Sequence, residues 1–139
     1  MESISTYKSA VSVGGKATLI DIETRPLNDD EILIKVMAAP INPSDKVFCR
    51  GLYGVLELQS NPPEGKGLGF EASGEVVDAG EGAKDMVGKK VAFSQDPHTP
   101  EYVGTWKQYM YLSKDKVIVF PDDSDYDTIA SNFINPFTI

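Results

Sequence analysis

Cysteine and histidine are nearly missing: Cys49 and His98 are the only examples in 139 residues. A lone cysteine closes no internal disulfide, so the chain suits a reducing compartment. One Cys and one His cannot build a Cys/His zinc site either. Arg50 adjoins Cys49, but residues i and i+1 of a helix point apart, so Cys49 reads as a small buried hydrophobe rather than an activated thiol. His98 stands in a Pro-rich loop, where an exposed, inert imidazole is expected. Basic residues are scarce as well, 13 against 21 acidic, for a net charge of −8. No basic patch is available to displace counterions, so neither a nucleic acid nor an anionic membrane is expected as a partner. The acidity serves solubility. No apolar run approaches the length of a membrane span. The opening MESISTYKSA lacks a basic region followed by a hydrophobic one and is not Arg-rich, so it reads as neither a secretory signal nor a transit peptide. The default location is the cytosol. Internal repeats and low-complexity tracts are missing too.

What is present is ordinary for one globular domain: 41% hydrophobic and 24% charged residues over a length that supports a single core. Residues 5–11 and 16–26 read as two strands joined at Gly14-Gly15. EILIKVMAA, from Glu31, alternates, with Ile32, Ile34, Val36 and Ala38 on one face and Leu33, Lys35 and Met37 on the other; Pro40 closes it. Residues 56–69, rich in Pro and Gly, read as a surface loop. Strands follow at FEASGEVVDAG, GKKVAFSQ, GTWKQYMYLS and DKVIVF, with a loop over DPHTPEYVG. Tyr126, Ile129 and Phe133 have helical spacing, with Asp or Ser capping the start. Six or more short strands between Gly/Pro turns predict a mainly β barrel or sandwich with short helices.

Two glycine motifs fail on context. GLGFEA fits G-x-G-x-x-A, yet a Pro-rich loop precedes it and a strand follows, where a dinucleotide fingerprint needs a strand and then a helix. GAKDMVGKK misplaces its first glycine and carries Lys90 where a phosphate loop needs Ser or Thr. No serine sits in a G-x-S-x-G elbow. INPSDKVFCRGLYG is more informative. Asn42 suits an N-cap, Pro43 the first helical position and Asp45 the first turn. Gly51 stops the helix in the left-handed conformation. Tyr53 is then displayed between Leu52 and Gly54. A capped connector with a half-buried tyrosine would look the same.

AAPINPSDKVFCRGLYG resembles the matching segment of the medium-chain dehydrogenase/reductase superfamily, in its zinc-free branch of quinone oxidoreductases and 2-enoyl thioester reductases. GFEASGEVVDAG, GKKVAF, GTWKQYM and NPFT match further blocks in the family's order. Five ordered blocks over about a hundred residues are specific where one would be weak. The resemblance implies a GroES-like fold, a partly open β-barrel, spanning residues 1–139. It implies Tyr53 as the proton donor when hydride reaches an activated C=C, since a phenol can hydrogen-bond or protonate the developing enolate. It implies cofactor contacts from Asn42, beside the nicotinamide, and from Asn135 and Thr138. Zinc-dependent relatives have a cysteine at the position of Asn42 and a histidine in a GHE triplet; here the triplet is GFE, with Phe70. No zinc is therefore expected. Trp106 reads as a packing residue and Asp45 as a cap.

The resemblance further implies NADPH or NADH as cofactor of a longer parent, held mostly by a Rossmann domain absent from this chain. On that reading the 139 residues alone bind no cofactor and are inactive, and the substrate is an activated alkene or quinone. The likeness to mitochondrial enoyl-thioester reductases adds the mitochondrion as a second location. The apolar SNFINPFTI is expected to pack against the missing domain or a neighbouring copy. The alternative is a non-catalytic GroES-like binding or structural module, a subunit of a larger assembly.

Overall fold

The computed structural model describes residues 4–13, 15–42, 45, 49, 66–96, 99 and 102–130. β1 (Thr6–Val13) and β2 (Lys16–Glu23) form the expected hairpin, Val13 opposite Lys16. Gly15 takes φ 82°, a turn conformation that costs glycine little. β3 (Glu31–Ala38) runs antiparallel between β5 (Glu71–Ala79) and β7 (Tyr109–Ser113). β6 (Lys90–Ser94) and β8 (Ile118–Phe120) extend that sheet to the order β7-β3-β5-β6-β8. Ile32 and Ile34 are fully buried as the alternation required, but Leu33, assigned to the outer face, is buried too. It lies opposite Tyr111 and Asp78 in a strand paired on both sides, so its face is partly covered as well.

Residues 66–69 depart from the surface-loop expectation. Lys66–Gly67 form a short strand, β4, that pairs with β1 in the order β2-β1-β4, and Leu68 is fully buried. Pro and Gly composition is correlated with loops, but glycine also serves where two backbones meet. A Cβ on Gly67 would lie 1.9 Å from the carbonyl oxygen of Val103. β5 follows Gly69, so the segment after GLG is a strand and not the helix a dinucleotide fingerprint requires.

The two sheets meet along a seam. Ala10 N donates to Trp106 O at 2.8 Å, Gln108 N to Lys8 O at 3.0 Å, and Ser9 bridges Lys107. Among the described residues the two sheets join at this seam without closing, as expected of a mainly β, partly open barrel. The larger sheet's core contains Ile34, Val76, Val91, Phe93 and Met110. Two 3-10 helices were not foreseen, Glu81–Met86 and Lys114–Lys116. The first tucks Ala83 and Met86 under that core. The helix Tyr126–Ala130 begins with the carboxylate of Asp125 accepting from Thr128 N at 3.3 Å, so the cap is the aspartate. Phe133 of that expected helix lies outside the described residues.

An ion pair ties the start of β3 to the turn before it. Arg25 donates to both oxygens of Glu31 at 2.7 Å and stacks 4.2 Å over the Tyr111 ring. The bond from Arg25 lowers the Glu31 pKa, burial opposes it, and the Asn28 N–H lowers it further. A lowered carboxylate stabilises the fold above its ordinary pKa of about 4.5, and the contribution is lost as pH falls through the lower folded value. Half of the arginine is in solvent, so Glu31→Gln should cost only about 1 kcal/mol at pH 7 and progressively less in acid, by denaturant unfolding.

Glycine positions offer a second check. Gly69 (φ +94°) and Gly88 (φ +90°) share a left-handed backbone, but a Cβ at Gly69 would lie 2.3 Å from Thr105 Oγ1, whereas at Gly88 it meets nothing within 4 Å. Gly88→Ala should cost about 1 kcal/mol from backbone strain alone, and Gly69→Ala at least about 2 kcal/mol more. Equal losses in chemical denaturation would contradict the close approach.

Candidate functional site

β3 ends at Ala38, and Pro40 keeps the following residues out of the ladder. The chain then turns at Asn42. Asp45 and Cys49, the two described residues of 43–50, are both helical. Asp45 N donates to Asn42 O at 2.9 Å, and the Asp45 carboxylate accepts from Asn42 N at 2.6 Å. The carboxylate thus supplies the reciprocal half of a capping box, reaching back to the capping residue's own N–H. Cys49 is half-buried against Leu68, Phe70 and Tyr102, as a small hydrophobe would be.

This cap is buried. Asn42 is 4% exposed and Asp45 is 1% exposed. Burial pushes the Asp45 carboxyl up to about 6; the Asn42 N–H pulls it down, and the charge of Glu71 adds to the rise. Glu71, at the start of β5, is fully buried. The Tyr102 hydroxyl lies 2.9 Å from Gly69 O and 3.1 Å from Gly67 O. Its pKa is raised, first by burial and then by the Asp45 charge. Thr105 Oγ1 donates to Glu71 O at 3.0 Å. Three side-chain atoms here are buried with no hydrogen-bond partner: Asn42 Nδ2, Asp45 Oδ1 and Trp106 Nε1. Each such group costs about 1–3 kcal/mol while it stays unsatisfied, so the cluster favours any ligand or water that supplies the missing partners.

Beside it opens a cleft of about 250 Å³. Val36, Met37, Ala38, Ala39 and Ile41 make one wall, and Thr105, Trp106 and Lys107 the other. Strand pairing explains the meeting of these stretches: Val36 N donates to Gln108 O at 2.9 Å, so the end of β3 runs along residues 105–108. Met37 and Ile41 leave 48% and 69% of their surfaces in solvent, an apolar rim. Trp106 packs on Leu68 and Phe70, as expected of a structural residue, but it also faces this cleft. Lys107 is half-buried, and burial lowers its pKa to about 8.

Of the four site residues expected from sequence, only Asn42 can be located, next to the rim residue Ile41. Tyr53, Asn135 and Thr138 lie outside the described residues, as does His98. Lys107 and Glu71 had no part in the expectation. Their signal was faint: each is one charged residue inside an apolar or small-residue strand segment. Phe70 of the GFE triplet is buried against Tyr102, ring centroids 6.1 Å apart. Among the described residues no three His, Cys, Asp or Glu side chains group as a metal site. Nor is any described helix long and apolar enough to cross a membrane.

Because the Asp45 pKa is raised above its unfolded value near 3.8, its contribution is complete at acid pH and is lost as pH rises through about 6. Stability of the chain should therefore fall by about 2–3 kcal/mol between pH 4 and pH 7 on account of this residue. Asp45→Asn keeps an acceptor for the cap and should flatten that slope in denaturant titrations run across the pH range.

The alcohol dehydrogenase GroES-like domain model matches residues 28–122. Mitochondrial enoyl-acyl-carrier-protein reductase of Bos taurus is 32% identical over 120 residues, 86% of this chain and 30% of that protein. The enzyme of the same name from Dictyostelium discoideum is 27% identical over 140 residues, 98% of this chain and 38% of its own. Among solved structures, a provisionally assigned NADPH:quinone reductase from Bacillus thuringiensis superposes with a TM-score of 0.75 at 27% identity, over 96% of this chain and 39% of that one. The chain thus spans roughly a third of the length of these relatives.

Proposed function

The chain belongs to the alcohol dehydrogenase GroES-like domain family, and from that footing we propose that it forms the substrate-side wall of a zinc-independent, NAD(P)H-dependent reductase of enoyl thioesters, enones or quinones. The observation that carries this reading is the buried, unpaired amide of Asn42 beside an apolar-walled cleft. An amide N–H lacking an acceptor fits the carboxamide or ribose oxygens of a nicotinamide nucleotide. Asn135 and Thr138 complete the nicotinamide side. Bound there, the cofactor supplies hydride to the electron-poor carbon of the substrate. The Tyr53 phenol hydrogen-bonds the developing enolate oxygen or protonates the neighbouring carbon. The apolar wall from Val36 to Ile41 holds the acyl chain or ring and excludes water from that proton transfer.

Zinc has no role in this scheme. An amide at Asn42 and a phenyl at Phe70 replace the thiolate and imidazole that such a site requires. The facing wall comes from a cofactor-binding unit, a further domain or a neighbouring copy, and relatives about three times as long leave room for it. The mitochondrial relatives add the mitochondrion to the cytosol expected from the sequence as a compartment to examine.

The test uses the natural gene product that contains this chain. It should reduce a 2-enoyl thioester with NADPH, while the 139 residues alone show no turnover. Tyr53→Phe should lower kcat by about 10²-fold with little change in KM for the thioester. Asn42→Ala should raise KM for NADPH. Full activity in Tyr53→Phe would overturn the assignment of the proton donor, and turnover by the 139 residues alone would overturn that of the cofactor.

A further inference from the structure

Lys107 lines the cleft and has no part in the proposed reduction. The facing wall presents Val36, Met37, Ala38 and Ile41, whose side chains offer its ammonium neither an acceptor nor a counter-charge, and on its own wall the Thr105 hydroxyl is committed to Glu71 O. Among the described residues it makes no side-chain hydrogen bond and no ion pair. The charged groups on the strands beside it are engaged or turned to solvent: Lys8 is held 2.6 Å from Asp21, and Lys35 is exposed. Ser9, across the seam, is uncharged. Desolvation alone accounts for the lowered pKa of about 8. Three other lysines have partners. Lys90 donates to Ser124 O at 2.6 Å, Lys114 donates to Gly82 O at 2.8 Å, and Lys84 lies 3.7 Å from Asp78.

We propose that Lys107 is a nucleophilic amine at the mouth of an acyl-binding cleft, and that it is acylated by apolar acyl thioesters in preference to the chain's other lysines. The cleft of about 250 Å³ is open to solvent, and a short alkyl chain can lie along its apolar side chains. Its apolar walls would hold that chain, leaving the thioester carbonyl at the amine. The neutral nitrogen attacks the carbonyl carbon, a C–N bond forms and the C–S bond breaks. The departing thiolate takes up the proton lost from nitrogen, giving an amide and a free thiol with no oxidant or reductant. Proximity and the neutral fraction both favour this site. At pH 7.4 roughly a fifth of Lys107 is uncharged, against about a thousandth of a lysine near 10.5. The lower basicity gives back about tenfold in nucleophilicity, if the Brønsted slope measured for thiols applies to the amine. The net advantage is on the order of tenfold before any gain from binding. The acyl-holding role of this wall rests on the reductase reading, but the mass increment on Lys107 is read without turnover, so the two can fail separately.

The 139-residue protein is incubated at pH 7.4 with the hexanoyl thioester of N-acetylcysteamine, and separately with the acetyl thioester. Peptide mass spectrometry follows each lysine over time. Lys107 should be acylated about tenfold faster than the median lysine, and the hexanoyl probe should sharpen the preference relative to the acetyl probe. Raising pH through 8 should bring the Lys107 rate to a plateau. Met37→Glu, on the solvent-exposed rim, should erase the hexanoyl preference, with the fold checked by circular dichroism. Lys107→Arg should leave a slow, evenly spread background. Acylation distributed by exposure, with Lys107 lagging, would overturn the proposal. So would fast acylation of Lys107 with no dependence on chain length.

Discussion

Everything described depends on how closely residues 67–69 approach residues 102–106. Thr105 N and Trp106 N both donate to Leu68 O, at 2.7 and 3.0 Å, and the Tyr102 hydroxyl sits between the carbonyls of Gly67 and Gly69. No side chain fits between these backbones: a Cβ at Gly104 would lie 2.5 Å from Leu68 N. Three glycines therefore let the small sheet's β4 lie against the stretch leading into β7. That contact carries Trp106 and Lys107 to the end of β3, where they become one wall of the cleft. Were the two backbones held apart by even one methyl group, the seam Ala10–Trp106 would open and the cleft would lose a side.

The polar cluster under this contact is costly for a chain of this size. A buried carboxyl at Asp45, a second at Glu71, and unpaired donors on Asn42 and Trp106 each oppose folding when taken singly. The cap bond from Asn42 N to Asp45 offsets part of that cost, and the raised pKa of Asp45 limits it by favouring the neutral acid. Among the described residues, the unpartnered buried atoms of Asn42, Asp45 and Trp106 gather next to the cleft, while the larger core of Ile34, Val76, Val91 and Phe93 is apolar. Such concentration is what a binding site produces, because a ligand can supply there what the fold leaves out.

Much of the scaffold was legible because its signals are local. Gly14-Gly15 between alternating strands is a hairpin on any reading, and Ile32 and Ile34 face inward through the period of the strand alone. An Asp or Ser cap on the last helix follows from the residue types, and the structure makes it Asp125. The misreadings share one cause. Gly67 and Gly69 look like loop glycines because composition cannot distinguish a residue that must turn from one that must let another backbone pass. Leu33 was assigned outward because a strand's period says nothing of what its sheet packs against. Glu81–Met86 carries no strong helical period, and its two buried residues are anchored by the core and not by the helix itself.

By itself, then, the sequence determined the strand pattern, the order of the family's blocks and the capped turn at Asn42. Each rests on residues near one another in the chain, where φ/ψ preference, period and spacing act directly. Only the tertiary structure decided that Lys107 would lose its water and that Asp45 would be buried within reach of the Glu71 charge. Solvation and electrostatic shifts depend on which distant segments enclose a group, and residues 36–41 and 105–107 acquire a common wall only when the seam between the sheets forms.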